Sequence, residues 1–308
     1  MDKTKTSLAN GILLAVALLL GASNALAGPY GEIVVFGDSL SDNGNYVLYD
    51  GQPAPDPALY WEGRFSNGRV WVEYLTDPTH FDTNLSGRAY GGAETSGSLP
   101  PGLIEQVRLY ILLAAGASLS PTNLYVVWIG GNDFLNGDGD YQIAVDNINV
   151  AVTELVDNGA MSILILNLPD LGSIPSTLGS NEAEPATAFT VNFNAALANM
   201  IDTFSTAHPG IGIYEFDVEA LFLEVRNNPT AFGFTNVTDP APNFAVENDF
   251  DGEGSLFWDD VHPTTHMHAL IADHVYDDLS AQLPADTADV PAQKNENASC
   301  FIRAVVWK

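Results

Sequence analysis

The chain has 308 residues, of which 46% are apolar and 10% aromatic, enough for the core of one domain or two small ones. Its 39 acidic residues outnumber 10 basic ones, giving a formal net charge of −29 at pH 7. This charge excludes nucleic acid as a partner, since phosphate binding needs a basic face. The single cysteine, Cys300, excludes an internal disulfide framework.

Residues 1–27 have the layout of a secretory signal peptide. Lys3 and Lys5 precede an apolar run, and Ala25-Leu26-Ala27 provides an A-x-A-like cleavage end. The alternative is a membrane anchor, but the run is shorter than the ~20 residues that a spanning helix needs. We therefore predict a secreted or periplasmic protein with no stable membrane insertion after cleavage.

Strand and helix patterns alternate along the next part of the chain. Short apolar runs rich in β-branched residues predict buried strands at residues 32–37, 123–130, 161–169 and 210–217. Apolar residues at helical spacing predict helices at residues 102–116, 141–160, 186–210 and 264–283. Strands without polar alternation favour a parallel sheet covered by helices on both faces, which is an α/β architecture.

Two segments lack these patterns. Residues 44–101 are loop-rich and aromatic and are interpreted as an insertion that carries substrate contacts, and residues 226–256 are similar. The aromatic side chains of the first segment could line an acyl pocket, although we favour packing within the insertion: Tyr60, Trp61, Phe65 and Trp71. We predict one domain over residues 28–283 and a polar tail over residues 284–308.

Polar residues and glycines follow the predicted strands. Ser39 comes just after the first strand, and Asn132 follows a Gly-Gly pair after another strand. Ligands of open parallel sheets bind beyond the carboxyl ends of the strands, so we expect these residues at one edge. Gly91 and Gly92 form a further turn in which backbone N–H groups can approach a ligand closely.

Asp259 and His262 lie three residues apart near the end of the predicted domain. A serine hydroxyl is a weak nucleophile that needs a base, and the base needs an orienting partner. His262 can be this base and Asp259 its partner, with Asp260 as a rival acid. The Ser39 N–H, a glycine N–H and the Asn132 amide can stabilise an oxyanion. Ser39 could instead cap a following helix.

Four segments, "FGDSLSDNGN", "AYGGA", "IGGNDF" and "WDDVHPT", together resemble the GDSL or SGNH-hydrolase family. The match is closest to its secreted lipase/esterase branch of lecithinase- and haemolysin-like enzymes, and covers roughly residues 32–280. The resemblance implies a three-layer α/β/α sandwich with a central parallel, flavodoxin-like sheet. It also implies a triad of Ser39, Asp259 and His262.

The same resemblance implies an oxyanion hole built from Ser39, Asn132 and a glycine of the second segment. We choose Gly91 over Gly92. The family usually has asparagine where this chain has Arg88, so we expect this turn to be held by different contacts.

We therefore predict a secreted serine ester hydrolase that acts on lipid or short acyl esters through an acyl-enzyme on Ser39. Acyl transfer to an alcohol is a side activity that some lecithinase-like relatives have. We expect a monomer that uses no cofactor and no metal.

Two alternatives belong to other classes. The first is a non-catalytic protein that binds carbohydrate or a surface with the same fold. The second is a metal-dependent phosphoesterase, which would require more carboxylates at strand ends than Asp38 and Asp133 provide. A metal site could separately be formed by Asp259, His262, His266 and His268.

Overall fold

A parallel sheet forms the centre of the computed structural model, which describes residues 28–46, 55–137, 139–244, 246–247 and 249–283, and the backbone of 302–304. Its strands are β1 (Glu32–Gly37), β2 (Asn84–Gly87), β3 (Leu124–Trp128), β4 (Ser162–Leu166) and β5 (Gly212–Phe216). They lie in the order β2-β1-β3-β4-β5, and every neighbouring pair is parallel. This is the flavodoxin-like order.

Three further strands extend the fold. The strands β6 (Asn236–Pro240) and β7 (Ser255–Phe257) form a separate two-stranded sheet within or beside the second loop-rich segment. The strand β8 (Ile302–Ala304) pairs antiparallel with β5 and covers the edge that β5 would otherwise expose. These three residues belong to the predicted tail, residues 284–308, most of which lies outside the described residues.

Helices cover both faces of the sheet. In chain order they are α1 (Trp71–Leu75), α2 (Leu103–Leu113), α3 (Gly131–Leu135), α4 (Tyr141–Asp157), α5 (Ala183–Ala207), α6 (Val218–Asn227) and α7 (Thr265–Ser280). One core lies between the sheet and α1, α6 and α7, and the other between the sheet and α2, α4 and α5. The fold is therefore a three-layer α/β/α sandwich.

The central strands are buried because both of their faces meet helices. Every residue of β3 is buried, and its alternate side chains enter different cores: Val126 packs in one and Val127 in the other. Burying one such side chain stabilises the fold by about 1.5–3 kcal/mol. The apolar runs therefore reflect a sheet that is covered on both sides, as the sequence pattern predicts.

The four predicted strands and four predicted helices are all present. The first strand has the predicted bounds, the third helix begins and ends three residues earlier than predicted, and the others are slightly shorter. The helices α1, α3 and α6 were not predicted. The strand β2 was not predicted, because Asn84–Gly87 contains one apolar residue and forms an edge that needs no apolar faces. The predicted signal peptide, residues 1–27, lies outside the described residues. No helix among those described is long and apolar enough to cross a membrane.

Candidate active site

The turn after β1 places Ser39 at the carboxyl edge of the sheet. Gly37, the last residue of β1, donates its N–H to Gln106 Oε1 at 2.9 Å and accepts from Gln106 Nε2 at 2.8 Å. Asp38 Oδ1 accepts from the Leu40 N–H at 3.0 Å. The turn does not lead into a helix, so Ser39 is not a helix cap. Its side chain is free to face another element.

The edge where Ser39 lies is the switch point of the sheet. The chain leaves β1 for β2 on one side and later places β3 on the other side. Ser39 follows β1, and Asn132 follows β3 on the short helix α3. Crevices form at such points because the connections diverge, and α/β proteins bind ligands there.

A hydrogen-bonded chain joins Ser39, His262 and Asp259. His262 Nε2 lies 2.8 Å from Ser39 Oγ, and His262 Nδ1 lies 2.7 Å from Asp259 Oδ2. Ser39 is 7% exposed and Asp259 is 6% exposed, so solvent screens these contacts weakly. Asp260 is exposed, and its backbone carbonyl accepts from the Ser176 N–H. Asp259, not Asp260, contacts the imidazole.

The Asp259 carboxylate accepts four hydrogen bonds. Oδ1 accepts from the N–H groups of Val261 and His262, and Oδ2 accepts from the His262 ring and from the Tyr60 hydroxyl at 2.6 Å. Burial alone would raise the pKa of Asp259, but His262 and these hydrogen bonds lower the pKa to about 2. Asp259 is thus an acceptor at neutral pH, so His262 Nδ1 donates to it and Nε2 accepts from Ser39.

Two aromatic residues of the loop-rich segment contact the hydrogen-bonded residues Asp259 and His262. Tyr60 donates to Asp259, and the Phe65 ring lies 5.2 Å from the His262 ring between centroids. The sequence interpretation assigned both to packing within the insertion. No motif could identify Tyr60, because it is 199 positions from the carboxylate that it binds.

The glycine turn lies beside Asn132. Gly91 donates its N–H to Asp42 Oδ2 at 2.8 Å, so this N–H is not free for a ligand. Gly92 is exposed with φ +73°, and among the described residues no acceptor takes its N–H. Asn132 Nδ2 donates to the Ala93 carbonyl at 2.9 Å. The Gly91 N–H is thus engaged by Asp42 whereas the Gly92 N–H is not, and the choice of Gly91 as the oxyanion donor of this turn stays a prediction.

Asp42 anchors this glycine turn to the serine turn. It accepts the N–H groups of residues 44–46 as well as that of Gly91. The side chain of Asn45 donates to the Ala89 carbonyl at 2.9 Å. These bonds hold the turn that carries arginine where the family usually has asparagine.

Two other carboxyl groups near Ser39, those of Asp38 and Asp133, also accept hydrogen bonds from groups of the protein. Asp133 accepts from the N–H and the hydroxyl of Thr95, and burial raises the pKa of Asp133. Burial raises the pKa of Asp38 to about 7.

The histidines after the site do not gather around a metal position. His266 stacks on Phe234 with ring centroids 4.5 Å apart, and His268 is fully buried. Within the described part of the chain, no three histidine, cysteine, aspartate or glutamate side chains form a group that could hold a metal ion. Ligands at His262, His266 and His268 are therefore not brought together.

A cavity opens directly beside Ser39. Asp38, Ser39 and Asn132 are the polar residues at its wall. The rest of the lining is apolar or glycine: Leu40, Trp128, Gly131, Leu135, Leu168, Pro169, Leu171, Ile174, Phe222, Phe257, Val261 and Pro263. A mostly apolar cavity with a few polar groups at one end is typical of sites for small organic ligands.

Comparisons with known proteins identify the family. The family model GDSL-like Lipase/Acylhydrolase matches residues 33–275. The chain is 29% identical to the phosphatidylcholine-sterol acyltransferase of Aeromonas hydrophila, over 84% of this chain and 92% of the relative. It is 30% identical to the thermolabile hemolysin of Vibrio parahaemolyticus (79% and 62%) and 30% to the acetylesterase of Thermothelomyces thermophilus (80% and 87%). The chain therefore belongs to the GDSL lipase/acylhydrolase family of esterases and lipases.

Proposed function

We propose that this protein is a serine ester hydrolase that forms an acyl-enzyme on Ser39. One observation carries the proposal: the Ser39 hydroxyl lies 2.8 Å from His262 Nε2 at the mouth of an apolar cavity. A base at this distance can take the hydroxyl proton as the oxygen attacks an ester carbonyl.

The first half-reaction transfers the acyl group to the protein. Ser39 Oγ bonds to the carbonyl carbon while its proton moves to His262 Nε2. The carbonyl oxygen becomes an oxyanion near the N–H groups of Ser39 and Gly92 and the Asn132 amide. His262 then returns the proton to the departing alkoxide, and the C–O bond to the alcohol breaks.

The second half-reaction releases the acid. His262 takes a proton from water, the water oxygen attacks the acyl-enzyme, and Ser39 leaves with the proton that His262 returns. The ionised Asp259 stabilises the imidazolium that forms in both steps. Neither half-reaction requires a metal ion or cofactor.

Replacing Ser39 tests this mechanism. We expect Ser39→Ala to lower kcat on p-nitrophenyl esters by at least about 10⁴-fold, because the acyl group loses its attachment point. Ser41→Ala is the matched control, since Ser41 lies two residues away and accepts a hydrogen bond from Trp71. Activity that survives in Ser39→Ala, or that EDTA abolishes in the wild type, would contradict the proposal.

Acyl transfer is a second candidate activity. The relative from Aeromonas hydrophila is named as an acyltransferase, and the alignment with it covers 84% of this chain. In transfer, an alcohol replaces water in the second half-reaction. Product analysis with an added alcohol would measure the ratio of new ester to free acid, and free acid alone would exclude transfer.

Export remains a prediction from residues 1–27, and cell fractionation tests it.

A further inference from the structure

The cavity beside Ser39 is backed by a second cavity. The second one is lined by Asp170, Ser173, Glu219 and Arg226 together with apolar residues. Pro169, Ile174, Phe222 and Phe257 line both cavities. These four residues therefore form a partition that is about one side chain thick.

The partition consists of buried side chains. Ile174 is 3% exposed, Phe222 6% and Phe257 1%. Phe222 is on α6, whereas Phe257 is the last residue of β7. Ile174 lies outside both of these elements. Because the side chains of the partition come from separate parts of the chain, no single loop forms this wall.

The two halves of an ester differ in how well they fit this cavity. An acyl chain is apolar and gains free energy from burial against Leu168, Phe222 and similar side chains. The alcohol part of a glycerolipid or sugar ester carries hydroxyl or charged groups that lose hydration in such a place. The cavity therefore suits the acyl chain, with its carbonyl at Ser39.

We propose that the first cavity is the acyl-binding site and that the partition at Ile174, Phe222 and Phe257 sets the longest acyl chain accepted. This inference rests on the proposed function, and it adds which half of the ester is bound and which residues limit it. Chains that end before the partition bind within the cavity, and longer chains must bend back towards the mouth. Opening the partition would join the two cavities.

The test is a chain-length profile with p-nitrophenyl esters from acetate to palmitate, at concentrations below micelle formation. The leaving group is constant, so only the acyl half varies. In the wild type, kcat/KM should rise about four-fold for each methylene that enters the cavity. It should then fall once the chain reaches the partition. A wild-type profile that is independent of chain length would overturn the inference.

Phe222→Ala should move the maximum of this profile to longer chains by roughly four methylenes, because the ring no longer closes the cavity. Leu223→Ala is the matched control. Leu223 is the next residue on α6, is 58% exposed and lines only the second cavity. The control should keep the wild-type maximum.

Ile174→Ala provides a second opening of the partition if Phe222→Ala does not fold, as thermal melting will reveal. It should move the maximum in the same direction by a smaller amount. An unmoved maximum in either folded variant would overturn the inference.

Acetate separates the two hypotheses, because its acyl group has only one methyl group beyond the carbonyl and so tests the attack by Ser39 without an acyl chain. Ser39→Ala that still hydrolyses the acetate ester would overturn the proposed function itself. An inactive Ser39→Ala with an unmoved maximum in the partition variants would overturn only the acyl-site inference.

Discussion

The Asp259 carboxylate is held by more groups than its own turn supplies. Its turn contributes two backbone N–H groups and the His262 ring, and Tyr60 adds a hydroxyl from a distant segment. Burial and the nearby Asp259 raise the pKa of Tyr60, so the hydroxyl keeps its proton and remains a donor. Tyr60 is thus a positioning residue that acts through Asp259.

We expect Tyr60→Phe to lower kcat by about ten-fold, since a hydrogen bond to a charged group contributes about 1.5–3 kcal/mol. The acid limb of the kcat/KM profile should also move to higher pH. The reason is that the Tyr60 hydrogen bond is one of the contacts that lower the pKa of Asp259, so its loss raises that pKa. Steady-state kinetics across the pH range measures both effects.

Tyr74→Phe is the matched control for this prediction. Tyr74 is a partly buried tyrosine whose hydroxyl lies 2.7 Å from Thr265 Oγ1, away from the Ser39–His262–Asp259 chain. Its replacement should lower stability slightly and leave the pH profile unchanged. If both variants shift the profile equally, or neither does, Tyr60 has no positioning role.

The helix α7 starts directly after the turn that carries His262. Thr264 caps this helix by accepting from the Met267 N–H. One turn further on, His268 is fully buried, and neither ring nitrogen has a hydrogen-bond partner among the described residues. Burial lowers the pKa of His268 to about 3, so the ring stays neutral in the folded protein.

Replacing His268 by leucine should stabilise the fold. A buried polar group without a partner costs about 1–3 kcal/mol, and leucine has no such group. The free energy of unfolding should therefore rise by about 1–2 kcal/mol near pH 7. Urea unfolding measures this change, and a loss of stability would mean that the ring has a partner such as a buried water.

The same substitution should change the response to acid. Below the ordinary histidine pKa of 6.5, the unfolded chain binds a proton that folded His268 does not bind until about pH 3. Wild-type stability should thus fall by about 2 kcal/mol from this residue between pH 7 and pH 5. His268→Leu should remove that loss.

The whole molecule carries a net charge of −29, and the repulsion among its acidic groups is strongest in the compact folded state. We expect added NaCl to raise Tm by a few degrees, because the screening length falls from about 30 Å at 0.01 M to about 8 Å at 0.15 M. Most of the rise should come below about 0.3 M, where screening acts and salting-out is weak. Thermal melting measures this, and a Tm that rises only at molar salt would contradict the screening explanation.

Local sequence patterns were sufficient to predict the central strands and the main candidate residues of this protein. Continuous apolar runs predicted four central strands, because a strand covered on both faces must be apolar throughout. The four motif segments predicted the family and brought Ser39, Asp259 and His262 forward as candidates. In contrast, the strand β2 could not be predicted, because Asn84–Gly87 is an edge strand and has no continuous apolar run.

Which groups meet depends on the tertiary fold. The fold commits the Gly91 N–H to Asp42. It also brings Tyr60 to Asp259 and places Phe222 and Phe257 in the lining of the cavity beside Ser39. These contacts join residues that are far apart in the sequence. Periodicity and motif spacing give information only about residues that are close in the sequence, so they could not predict these contacts.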